Sequence, residues 1–117
     1  MTTQQVADRL VELCRTGQIF QAQEELYADD IACNEPEHAP TPSAKGKEAV
    51  MEKGKHFASM IEERHGGSFS DPQVAGRHFS VAMILDATFK GMGRRVLEEV
   101  CVYEVKDGKI VFEQFYY

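Results

Sequence analysis

Three glutamates are the residues on which acid–base chemistry could rest: Glu35, Glu99 and Glu113. Glu35 directly precedes Pro36, at the exit of the short strand-like stretch Ile31-Ala32-Cys33-Asn34, a common place for a rim residue. Glu99 shares one face of an alternating segment with Leu97, Cys101 and Tyr103, and Glu113 shares another with Val111 and Phe115. A slip of one residue would turn both carboxyls outward, toward water or toward Arg94, Arg95 and Lys109. Carboxyls crowded together and partly buried hold their protons to higher pH, which suits proton transfer near neutrality.

Other reactive side chains fit no established pattern. Glu35, Glu37 and His38 could join His56 or His65 around a metal, but the spacing matches no compact ligand motif and prolines intervene. No metal is expected. His78 and Asp86 lie eight residues apart on one strand face, too far to touch. Cys101 on an apolar strand reads as a small buried hydrophobe. Lys45, Lys47, Lys53 and Lys55 read as a solvated face with i, i+3 partners such as Glu52. Lys45-Gly46-Lys47 opens a helix without the phosphate-loop frame, and Gly91-x-Gly93 is a turn, so no cofactor is expected.

The elements that must position these groups follow from periodicity. Val6, Leu10 and Leu13 predict a helix over 3–16, with Thr2 and Gln5 in capping-box positions and Gly17 at its end. A second helix is expected over 18–28, and a short strand over 31–34. Pro36, Pro40 and Pro42 make 35–43 an ordered loop or lid. A third helix is expected over 47–64, ended by His65-Gly66-Gly67, carrying Val50, Gly54, Phe57, Ala58 and Ile61 on one face.

The rest is strand-like. Pro72 puts 68–75 at a sheet edge or bulge. Residues 77–90 alternate, with Phe79, Val81, Met83, Leu85, Ala87 and Phe89 on one face. Strands over 94–105 and 109–117 follow, joined by the hairpin signal Asp107-Gly108. Helices ahead of a strand meander give an α+β layer. The strand over 94–105 is apolar on both faces, with Val96, Val100 and Val102 opposite Leu97, Cys101, Tyr103 and Val105. Its outer face then needs cover, and a second copy of the sheet supplies it, so a homodimer through the sheet face is expected.

At 117 residues, one domain over 1–117 accounts for the whole chain. A net charge of −6 argues against non-specific nucleic-acid binding. Three cysteines without a Cys-x-x-Cys pair fit reduced thiols and a cytoplasmic setting. The start of the chain has no basic and apolar leader pattern, and no run is long enough to cross a bilayer, so neither secretion nor a membrane partner is expected.

Leu26-Tyr27-Ala28-Asp29-Asp30, then Glu35-Pro36, then Lys45-Gly46-Lys47-Glu48-Ala49-Val50 resemble the nuclear transport factor 2-like superfamily. Its SnoaL-like branch, which includes polyketide cyclases, and the ketosteroid isomerases are similar. The resemblance implies a cystatin-like cone, with three N-terminal helices on a curved, mostly antiparallel sheet and a short strand before the third helix. It implies a pocket for a small hydrophobic or enolisable ligand, lined by Phe57, Met83, Cys101, Tyr103 and Phe115. Glu35 falls where ketosteroid isomerases keep their base, with Glu99 or Glu113 as acid partner. The matching oxyanion positions hold Leu10 and Cys101, which argues against steroid isomerisation itself. The resemblance leaves two functions open: a cofactor-free cyclase, isomerase or lyase, or a non-catalytic ligand-binding or assembly module.

Overall fold

A computed structural model describes residues 1–40 and 42–117. Position 41, inside the expected loop or lid over 35–43, lies outside the described residues. The chain order is α1 (Thr3–Arg15), α2 (Ile19–Leu26), β1 (Tyr27–Asn34), β2 (Ala44–Lys45), α3 (Lys47–Ser59), β3 (Ile61–Phe69), β4 (Gln73–Ala75), β5 (His78–Phe89), β6 (Gly93–Lys106) and β7 (Lys109–Tyr116).

The α+β expectation is borne out. One sheet runs β2-β1-β7-β6-β5-β3, with β4 extending the β3 edge along β5. Every pairing is antiparallel except β1 on β7. The register shifts in β3 against β5, in β6 against β7 and in β1 against β7. Bulges of this kind bend strands and deepen twist, which lets the sheet curl around the helices.

α1 begins as its sequence dictates: Thr2 Oγ1 accepts from the Gln5 N–H at 3.1 Å, and the Gln5 side chain accepts from the Thr2 N–H at 2.8 Å. Its face of Val6, Ala7, Leu10, Val11 and Leu13 is buried with Ala22 and Leu26 of α2. These meet Phe79, Val81, Cys101, Tyr103, Val105 and Ile110 on the inner side of the sheet. A second apolar cluster of Leu85, Ala87 and Phe89, backed by Met60, Ile61 and Leu97, fills the far end of β5 and β6. The site lies at the seam between these clusters. Asp107 and Gly108 both have positive φ, 52° and 76°, as a tight hairpin between β6 and β7 demands.

Two boundaries differ from the sequence expectation. α3 stops at Ser59, five residues before Arg64, and Ile61–Phe69 is an edge strand. Ser59 Oγ donates back to the His56 carbonyl at 2.6 Å, a bond that competes with helix continuation. Pairing with β5 then overrides the helix preference of Glu62-Glu63-Arg64. His65, Gly66 and Gly67 are therefore mid-strand residues and not a helix stop. The second helix also ends early: Tyr27 is already extended, at φ −83° and ψ 136°, and opens β1. Among the described residues no helix is long and apolar enough to cross a membrane.

Candidate functional site

The site is built where β1, β7 and β6 lie side by side under α3. Cys33 of β1 is in register with Glu113 of β7, and Glu113 with Tyr103 of β6. Cys101 of β6 is opposite Phe115, and Glu99 is opposite Met83 of β5. Alternation along these strands puts Cys33, Glu99, Cys101, Tyr103, Glu113 and Phe115 on the inner face. Glu99 follows Leu97 of the far cluster and precedes Cys101 of the main core, so an acid occupies the gap between two apolar clusters.

Glu113 lies deepest, 2% exposed among apolar neighbours. The Tyr27 hydroxyl donates to its Oε2 at 2.5 Å. Burial pushes the Glu113 carboxyl above the ordinary range, while hydrogen bonds from Tyr27 and Cys33 and the charge of Lys53 work against that rise. The same burial pushes Tyr27 well above a free phenol, with the neighbouring Glu113 adding to it. In both groups burial favours the protonated form.

Glu35, at the end of β1, is tied from three sides. Lys53 Nζ sits 2.7 Å from its Oε1, the Tyr117 hydroxyl donates to its Oε2 at 2.7 Å, and its backbone N–H donates to Ser43 Oγ at 3.0 Å. This ion pair is sheltered, with side-chain exposures of 15% for Lys53 and 8% for Glu35. Lys53 also donates to Cys33 Sγ at 3.1 Å, and its ammonium lies 5.8 Å from the centre of the Phe115 ring. Burial lowers the Lys53 proton affinity, but the bonds to Glu35 and Cys33 outweigh it and hold the ammonium above its usual value.

Glu99 is half-buried and has no hydrogen-bond partner among the described residues. Desolvation, then repulsion from Glu35, push its carboxyl to about 7, with Lys53 opposing and Glu113 adding. The structure thus brings Glu35, Glu99 and Glu113 together, and the assigned strand parity holds for both later glutamates. It fails for Val111: the register shift beside Val105 inserts an extra residue, so the fully buried position is Ile110.

The expected lining residues divide. Tyr103 stacks on Phe79 at 4.7 Å and Cys101 is 4% exposed, so both belong to the closed core. Burial lifts the Cys101 thiol far above its usual range, which removes it as a nucleophile. Met83 and Phe115 are half-buried. Phe57, 37% exposed, projects from α3 and rests 5.8 Å from Phe89. These three keep part of their surface in contact with solvent, as do Glu99 and Tyr117. Two surface hollows lie elsewhere, one beside Arg15 and Pro72 and one along α3 beside Lys47, and neither includes an acid of this cluster.

Two members of the site escaped the sequence reading. Lys53, grouped there with the solvated lysines, turns inward; Lys55 alone of that set pairs with Glu52, at 3.9 Å. Lys53 lies one turn after Val50, the buried residue of α3, which was the available signal. Tyr27 was absorbed into the end of the second helix, where its inward direction is invisible. Among the described residues no group of three or more potential ligands is placed to hold a metal. His65 instead bonds Thr88 Oγ1 at 2.7 Å, and Asp86 pairs with Arg94 at 2.9 Å.

The chain belongs to the SnoaL-like domain family, which matches residues 1–117. A Mesorhizobium loti protein assigned to the SnoaL-like polyketide cyclases is 39% identical, with 100% of both chains covered and a TM-score of 0.93. An NTF2-like protein of unknown function from Burkholderia pseudomallei is 16% identical over 100% of this chain and 92% of that one, with a TM-score of 0.78. IdmH of Streptomyces antibioticus, assigned as a polyketide cyclase, is 17% identical over 99% and 91%, with a TM-score of 0.73. The last two likenesses establish the nuclear transport factor 2-like fold. No curated protein matches the chain significantly.

Proposed function

We propose that the chain binds a small enolisable carbonyl compound at the open end of its inner face and moves a proton with Glu99, as a cofactor-free cyclase, isomerase or lyase. The observation that carries this reading is the convergence of Glu35, Glu99, Glu113 and Lys53 in the seam between two apolar clusters. The 39% identical neighbour assigned to the polyketide cyclases supports the same class.

Glu99 is preferred over Glu35 as the proton carrier. A carboxyl at about 7 is divided between acid and base forms at neutral pH, the condition that favours general acid–base transfer. Glu35 is instead engaged by Lys53 and Tyr117. Glu113 is too deep to meet a ligand and acts by holding Tyr27 and Cys33 in place.

The test is turnover of a panel of β-dicarbonyl and poly-β-ketone compounds. Glu99→Gln is expected to lower kcat by roughly 10²–10⁴-fold, the usual weight of one acid–base group. Turnover by the unaltered chain should rise with pH through about 7 as Glu99 becomes the base. Full activity in Glu99→Gln would remove it from the mechanism and leave the non-catalytic ligand-binding module as the better reading.

The outer face of the sheet supports a homodimer. Ile84, Val96, Val100 and Tyr116 are 41–58% exposed there, and a second copy of the same surface would cover them. Three free thiols support a reducing, cytoplasmic setting.

A further inference from the structure

An enolate forming at this site needs a partner for its oxygen, and the positions that supply one in ketosteroid isomerases hold Leu10 and Cys101 here. Leu10 is 3% exposed within the core, and Cys101 lies behind Phe115 in register with it. Neither can act as a donor. The one cation on the inner face among the described residues that reaches the acid cluster is Lys53.

An ammonium has three N–H donors. Lys53 uses one on Glu35 at 2.7 Å and one on Cys33 Sγ at 3.1 Å. Among the described residues the third reaches only the Pro42 carbonyl, at 3.5 Å, the limit of a hydrogen bond. That third donor is nearly unspent. The side chain keeps 15% of its surface in contact with solvent, and its charge bears on Glu99, so the free donor and the free carboxyl serve the same space. The Phe115 ring below the ammonium gives a flat apolar seat for a planar conjugated ligand.

We propose that Lys53 is a catalytic residue whose third N–H donates to the substrate carbonyl oxygen and holds it as an enolate, which defines the substrate class as planar 1,3-dicarbonyl compounds. This rests on the assignment of proton transfer to Glu99. The α C–H bond breaks and its proton passes to the Glu99 carboxylate. The electron pair becomes the new C=C bond, and the carbonyl π pair moves onto the oxygen beside the Lys53 ammonium. Proton return from Glu99, to another carbon or to the oxygen of a carbonyl that the enolate carbon attacks, restores the carboxylate. No oxidant, reductant or co-reactant enters. Glu35 keeps the lysine pointed inward, so the pair that fixes the cation is also the pair that neutralises the site at rest.

The probe is 1,3-cyclohexanedione, which is largely its planar enolate at neutral pH, compared by calorimetry with its neutral 3-ethoxy enone ether. The unaltered chain should bind the enolate more tightly than the ether. Lys53→Met should weaken the enolate by roughly tenfold or more, the scale of one hydrogen bond to a charged group, and weaken the ether, whose neutral carbonyl is the poorer acceptor, distinctly less. Lys53→Arg should keep most of the preference. Equal loss of both ligands in Lys53→Met would mean a merely structural lysine and would overturn the proposal, as would an unaltered chain that does not prefer the enolate. Should the Met variant fold poorly, the Lys53 ammonium signal of the unaltered chain, followed by NMR, must shift distinctly more with enolate than with ether. Glu99→Gln separates the two ideas: it should retain enolate binding while losing turnover. If it turned over normally, the proton-carrier assignment would fall while the Lys53 contact stood on its own readout.

Discussion

Glu99 keeps its proton to about pH 7 in the folded chain, whereas an unfolded chain releases it near the ordinary carboxylate value. The folded state therefore binds more protons between those limits, and its stability falls as pH rises through that window. Glu113 is shifted in the same direction and adds to the slope. Glu99→Gln should flatten part of this dependence and stabilise the chain at pH 8 by about 1–2 kcal/mol, a figure discounted for water reaching the half-exposed carboxyl. Urea denaturation at pH 5 and pH 8 would measure it, and an unchanged difference between the two pH values would contradict the assignment. Tyr27→Phe removes the donor to Glu113 Oε2 and should cost about 1–3 kcal/mol in the same experiment, because the acid stays buried with one partner fewer. The acids were readable from strand parity and from a proline, since both are local signals. Their partners were not. The spacing of Lys53 from Val50 turns it inward, but that it meets Glu35 there depends on how α3 lies across β1, and no residue within α3 records that.

Among the elements, the strands with a buried face were the legible ones. β5 alternates without a break from Phe79 to Phe89, and the Asp107-Gly108 turn sets the register of β6 on β7. β3 was illegible for the opposite reason: residues 62–68 are all exposed, so no apolar period distinguishes strand from helix. What holds β3 is backbone proximity. A Cβ added at Gly67 would stand 2.6 Å from the Ile84 carbonyl oxygen, across the β3–β5 pairing. Gly67→Ala should therefore cost about 1–3 kcal/mol, although its φ is unexceptional, and hydrogen exchange should locate the loss in β3. Gly66→Ala meets open space and serves as the matched control. At the other end, Thr2→Ala should lower stability by about 1 kcal/mol through loss of the α1 cap.

For the whole molecule, the proposed dimer predicts a sedimenting species of twice the 13.2 kDa chain mass at micromolar concentration. Val100→Asp, placed at the centre of the exposed outer strand face, should shift it to monomer without altering the Glu99 titration. A single-chain mass for the unaltered protein would count against the paired sheet. The parallel contact of β1 on β7 carries a kinetic implication. Hairpins β5–β6 and β6–β7 close over short stretches of chain, while Cys33 and Glu113 must find each other across most of its length. Long closures come late, since their entropy must be met before any contact rewards it. The reactive end is thus the last part of the molecule to assemble: a refolding chain should protect its C-terminal amides first, and Tyr27 should lose contact with solvent only in the final phase.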